Sequence, residues 1–167
     1  MDLSFDLSFI EKLDLDTGGI FIIMVGPPGA GKTSISKELE SKYHFMRVCP
    51  DDIREEFSGD AADQSNNEQV FAKVYSRLSF FLKEGYNVVY DATNCRTTYR
   101  MKILDTVKDC ANYILCLCLT TSIGDCLERN KNRYERHVPE DVIERMYFTL
   151  KKHPPTIFEG YDAIVGF

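Results

Sequence analysis

Eight consecutive residues carry the first chemistry in this chain: Gly26-Pro27-Pro28-Gly29-Ala30-Gly31-Lys32-Thr33. They match the P-loop pattern G-x-x-x-x-G-K-[ST] without a mismatch. Such a loop captures anions. Its glycines let successive backbone N–H groups curl around a phosphate, and the helix start that follows adds partial positive charge. The loop and Ser34 behind it are expected to hold a nucleoside triphosphate, ATP or another donor. Lys32 would reach the β- and γ-phosphates, and the Thr33 hydroxyl would ligate Mg²⁺. An ordinary glycine turn would not carry the full pattern with an apolar run before it and a helix-like segment after it.

Three further groups are spaced to complete a transfer site. Asp51, Asp52 and Arg54 follow one short apolar run, and Asp91, Thr93 and Asn94 follow another. Arg129 and Arg133 lie four apart, on one face if the segment is helical, and Arg136 comes three residues later. Moving a phosphoryl group to a hydroxyl takes cations to offset its charge and a carboxylate to accept the hydroxyl proton. Asp51 is read as that base, with Asp52 as a helix cap or supporting group. Asp91 is read as orienting a Mg²⁺-bound water or pairing with Arg54, against the plainer role of holding a turn, and Asp51 is read as also meeting Mg²⁺ through water. Arg129, Lys131, Arg133 and Arg136 read as an anion-facing lid, against a solvated helix face. Arg96 is a candidate for a substrate phosphate, otherwise a surface residue. His44, His137 and His153 have no partner pattern and read as structural or solvent-exposed.

Elements must bring these groups together. The run 20–25 predicts the strand that delivers the P-loop, with a helix from residue 33. A strand over 45–49 is predicted to end at Pro50-Asp51-Asp52, before a helical turn over 53–57 and a polar loop. A helix from about 66 to 83 would bury Val70, Val74, Leu78, Phe81 and Leu82, and Gly85 would stop it. After a strand over 87–91, Thr97 or Thr98 would cap a helix to Val107, with Met101, Leu104 and Val107 inward. The run 113–119 suits a strand covered on both faces. Ser122 would cap a helix to about residue 132, and Pro139 at its first position would open another to Lys152. A short strand over 163–165 would close the chain.

Strands alternating with helices imply an α/β fold. It would be an open parallel sheet of about five strands with helices on both faces, right-handed crossovers and a helical lid. Ligands in such sheets bind at the carboxyl ends of the strands, where all the groups above fall. Residues 1–18 read as an N-terminal extension and 19–167 as one domain. Alternating Leu3, Phe5, Leu7 and Phe9 favour a short strand in the extension.

Composition narrows the class. A chain of 167 residues suits one domain with a good core. No apolar run approaches the ~20 residues of a membrane span, and the N-terminus has no basic stretch of a secretory signal. The six cysteines form no C-x-x-C pair and are expected to be structural thiols in a reducing cytoplasm. A net charge of −6 argues against a broad nucleic-acid coat, but not against an enzyme that grips one strand end through local arginines.

Taken together, Gly26 to Thr33, Asp51-Asp52-Ile53-Arg54, Asp91-Ala92-Thr93-Asn94 and Arg129-Asn130-Lys131-Asn132-Arg133 occur in the order and spacing of polynucleotide 5′-kinases. Residues 18 to 167 resemble the kinase module of bacterial and phage nucleic-acid end-repair enzymes, and the segment 59–65 is similar to the bacterial branch. The resemblance implies ATP- and Mg²⁺-dependent phosphorylation of the 5′-OH end of DNA or RNA. It implies Asp51 as general base, with Arg54 on the phosphate 3′ of the acceptor nucleoside. Lys32 and Arg133 would bind the transferring phosphate with Arg129 nearby, and Val138 would touch the acceptor base. Phosphatase and ligase modules would act separately from these residues. The residues alone leave two other readings open: a metabolite kinase of the same fold, and a non-catalytic nucleotide-binding switch.

Overall fold

The run Ile20–Val25 forms strand β1, and all six of its side chains are buried. Phe21, Ile23 and Val25 face one hydrophobic cluster, and Ile20, Ile22 and Met24 face another. A strand that alternates between two dry faces must lie in the middle of a layered structure. The structure, a computed structural model, describes residues 7–133 and 137–166.

After β1 come α1 (Lys32–Tyr43), β2 (Met46–Val48), α2 (Pro50–Ser58), α3 (Asn67–Lys83), β3 (Val88–Tyr90) and α4 (Thr97–Val107). They are followed by β4 (Tyr113–Cys118), α5 (Ile123–Lys131), α6 (Glu140–Lys152) and β5 (Ala163–Gly166). The strands pair in the order β2-β3-β1-β4-β5, and every pairing is parallel. This is the expected parallel α/β sheet, with β1 and its P-loop at the centre. The α3 and α4 side chains Val70, Val74, Leu78, Leu104 and Val107 fill one face. Ile35 and Leu39 of α1 and Cys126 of α5 fill the other. Helix α6 spans the two, with Ile143 in one cluster and Leu150 in the other.

Several local expectations change. Pro50 does not merely end β2; it opens α2, where its fixed φ suits the first helical turn. Asp51 and Asp52 then sit in that turn beside the positive end of the helix. Neither caps it by a side-chain bond, since Cys49 holds the cap position. Helix α4 starts at Thr97 without a threonine cap. Its inward residues are Arg100, Ile103, Leu104 and Val107, while Met101 is exposed. Pro139 is the N-cap residue of α6, one position before its first turn. Ser122 does cap α5, accepting from the Asp125 N–H at 3.1 Å.

Ahead of the sheet, Leu7 to Phe9 form no strand, and Ile10–Lys12 is a short 3₁₀ turn. Leu7 and Ile10 are buried in the cluster under α1. Leu3 and Phe5 of the alternating run lie outside the described residues, as does Arg136. All six cysteines are free. Among the described residues, no helix is long and apolar enough to cross a membrane.

Candidate active site

The P-loop joins β1 to α1 and is held from three sides. Gly26 N–H donates to Thr93 O at 2.9 Å, tying the loop to the segment after β3. Thr121 Oγ1 donates to Ala30 O at 2.9 Å. Arg129 Nη1 donates to Gly29 O and Ala30 O at 3.3 and 3.4 Å. Gly29 and Gly31 have φ of +83° and +106°, a conformation that side chains rarely tolerate. A Cβ on Gly29 would also lie 2.4 Å from Cys126 O, so α5 rests on the bare glycine. At the head of α1, Gly31 supplies no side-chain cap, which leaves the helix start for an anion.

Lys32 is buried, and its Nζ donates to Pro27 O at 2.8 Å. Burial pushes its ammonium below the ordinary lysine value, and the nearby Asp91 charge pulls it back. The Arg133 charge adds to the depression. A phosphate bound at Lys32 would counter it.

Asp91 ends β3 in a buried position. Its Oδ2 accepts from Ser36 Oγ at 2.8 Å, Arg47 Nη2 at 2.7 Å and Arg47 Nε at 3.1 Å. The expected pairing of Asp91 with Arg54 is therefore wrong; Arg47, on β2, takes that place. Arg47 Nη1 also reaches Asp52 at 2.5 Å. Burial alone would depress the Arg47 guanidinium, but the Asp91 charge and hydrogen bonds hold it above its ordinary value. The sequence signal for this residue was a lone charge between Met46 and Val48, because a cation inside a sheet needs an anion.

Arg54 points from α2 to a different carboxylate. Its Nη1 donates to Asp51 Oδ1, and its Nε and Nη2 approach Asn67 Oδ1 at 3.4 and 3.3 Å. Arg54 is buried, while the Asp51 side chain is 47% exposed. The candidate base thus faces solvent with an arginine against its flank. Polar contacts run from Ser36 on α1 through Asp91 and Arg47 to Asp52, the residue next to this base.

The lid differs from its expected shape. Helix α5 ends at Lys131, so Arg129 and Arg133 do not share a helix face. Arg129 belongs to the P-loop, whereas Arg133 is exposed beside Lys131, Asn132 and His137 around an open depression. Asn130 closes the base of this segment. Its Nδ2 donates to Val138 O at 2.8 Å, and its Oδ1 accepts from Val138 N–H at 3.0 Å. The Val138 side chain is half-buried against the cluster that includes Ile35, Leu39, Cys126 and Ile143.

The segment after β3 is mainly structural. Asn94 has φ of +49° and donates from Nδ2 to Met24 O at 2.7 Å, so its amide fastens the end of β1. Arg96 is exposed, with its guanidinium 5.7 Å from the Tyr99 ring centre. Arg100 is fully buried and was missed by sequence reasoning. It forms a two-pronged pair with Glu159 at 2.7 Å on each arm and donates to Asn94 O and Cys95 O at 3.2 Å. Three elements therefore converge on the loop that braces Gly26. Among the described residues, no group of three metal-ligating side chains occurs.

The sheet order, the central P-loop and the flanking helices define a P-loop kinase fold. The chain belongs to the AAA domain family, whose profile matches residues 21–153. It is 26% identical over 133 residues to L-seryl-tRNA(Sec) kinase of Methanococcus maripaludis, covering 77% of this chain and 51% of that protein. A chain of the Pnkp1/Rnl/Hen1 RNA repair complex superposes with a TM-score of 0.74 at 23% identity, covering 84% of this chain and 47% of that one. A gluconokinase from Sinorhizobium meliloti superposes with a TM-score of 0.57 at 17% identity, covering 89% and 82%. The chain spans about half the length of the first two, 51% and 47%.

Proposed function

We propose that this chain moves the γ-phosphate of ATP, with Mg²⁺, to the 5′-hydroxyl end of DNA or RNA. The acceptor oxygen bonds to the γ-phosphorus as the β–γ bridge breaks. The hydroxyl proton passes to the Asp51 carboxylate, and the nucleoside diphosphate leaves. Lys32, Arg129 and Arg133 offset charge on the group in flight. Thr33 would hold the magnesium, whose charge would offset that of the phosphates. Asp91 Oδ2 takes three donors, and the Asp91 carboxylate would help place the metal through water.

The observation that carries this reading is Arg54 against Asp51. An arginine beside the base can exchange its Asp51 and Asn67 contacts for bidentate bonds to a phosphate on the acceptor itself. A relative named L-seryl-tRNA(Sec) kinase supports only the coarser point that an acceptor can be attached to a polynucleotide. Thr93 and Arg96, in the loop after β3, would contact the strand. Phosphatase or ligase modules remain expected partners, acting separately.

The second reading is a metabolite kinase. It is favoured by one fact: Arg54 is already satisfied by Asp51 and Asn67. The test is transfer from [γ-³²P]ATP to 5′-OH RNA, 5′-OH DNA, a nucleoside 3′-phosphate, the matching nucleoside and a metabolite panel. A strong preference for the 3′-phosphate over the nucleoside, lost in Arg54→Ala, supports the polynucleotide acceptor. Equal use of both transfers the assignment to the metabolite kinase. Binding of ATP with no transfer to any acceptor leaves the nucleotide-binding switch.

A further inference from the structure

A cavity of about 120 Å³ opens between the loop after β3 and α6. Thr93, Cys95, Arg96 and Tyr99 line one side, and Arg145, Met146 and Thr149 of α6 line the other. Two guanidinium groups thus flank it and no carboxylate lines it, in a chain whose net charge is −6. Neither arginine forms an ion pair with another described residue. Arg96 is steadied over the Tyr99 ring, and Tyr99 is itself 57% exposed. Stacking on an aromatic face fixes a guanidinium at little entropic cost. The cavity is also tied to the reaction centre, because its Thr93 accepts from the first glycine of the P-loop.

Its size decides what it takes. Pockets that enclose whole small molecules run to ~300–1,000 Å³. This one suits a phosphate group and its sugar edge, not a complete nucleotide. Thr149 Oγ1 is spent on Arg145 O at 2.7 Å, so the cations dominate the wall. Arg54 stands apart, on α2, where it would serve the first acceptor phosphate. We propose that the Arg96–Arg145 cavity is a second anion subsite, which holds a backbone phosphate of the acceptor strand beyond the one at Arg54. The inference rests on the polynucleotide reading and makes it more specific: the preferred acceptor carries at least two phosphates.

The test compares a nucleoside 3′-phosphate with 5′-OH oligonucleotides of two to six residues, using the full chain and ATP. The wild type should show a rise in kcat/KM between acceptors with one and two phosphates. Arg145→Ala should shrink that ratio about ten-fold, as loss of a charged hydrogen bond does, and Arg145→Lys should restore part of it. The salt slope for long acceptors should fall by roughly 0.7, the value for one phosphate contact on a single strand. A ratio unchanged by Arg145→Ala overturns the subsite, as does a variant whose defect lies in the KM for ATP. If the wild type phosphorylates no nucleic-acid end, the polynucleotide reading itself falls. If it phosphorylates them without a length dependence, only the subsite falls.

Discussion

Arg47 grips Asp91 with two nitrogens, Nη2 at 2.7 Å and Nε at 3.1 Å, while its third nitrogen holds Asp52. One side chain therefore joins the end of β3 to the first turn of α2. Through Asp91 it also reaches Ser36 on α1, one turn past the P-loop lysine. This guanidinium adds a side-chain link to the backbone bonds that join the same segments, Asp91 N–H to Val48 O and Gly26 N–H to Thr93 O.

Removing Arg47 should be costly. Its side chain is 9% exposed and that of Asp91 is 4%, so Arg47→Met leaves a carboxylate buried without its cation. Breaking such a pair costs about 3–5 kcal/mol. Urea denaturation should show that loss. The double variant Arg47→Met/Asp91→Asn should recover part of it, since the stranded charge is then gone.

Asp51→Asn separates chemistry from binding. The residue is half exposed and lies outside the P-loop, so ATP affinity measured with a fluorescent analogue should stay near wild type. Turnover should fall about 10²–10⁴-fold, the usual contribution of a positioned base. A small fall would point to another base.

Gly29→Ala should damage the phosphate loop through sterics. The new Cβ meets backbone at Cys126, and the +83° φ is strained for any side chain. Strain of this type costs on the order of 1–3 kcal/mol, and ATP binding should drop with it. Gly59→Ala is the control. Its φ is +72°, but nothing lies within 4 Å of the added carbon, so only the backbone term applies. Thermal melts of the two, with and without ATP, check the difference.

Alkaline pH should expose the buried thiols. Burial pushes Cys49 up to about 12 and Cys95 up to about 11, from a usual 9.0. The folded state therefore keeps protons that the unfolded chain releases. Their contribution is complete below pH 9 and is lost as pH rises towards 11 and 12. Urea midpoints across that window should fall for the wild type, and less steeply for Cys49→Ala compared with its own value at pH 7.

Much of the architecture was legible because its signals are local. The apolar run before Gly26, the cap at Ser122 and the periodic face of α3 each depend on neighbours in sequence. The wiring of the site was not legible, because it depends on which charges meet across the sheet. Nothing near Asp91 says that its partner is Arg47 and not Arg54. Met101 was expected inward by spacing and hydrophobicity. Instead Arg100 took the buried position, because Glu159, 59 residues on, supplies a carboxylate there. Arg133 was placed on a helix that ends two residues earlier, where Asn130 turns back to clasp Val138.

That clasp works like a buckle. Two hydrogen bonds join the Asn130 amide to the Val138 backbone, so the end of α5 is fastened to the residue just before the N-cap of α6. The start of α6 is thus held from α5 by one side chain, and a single change, Asn130→Ala, removes both bonds at once.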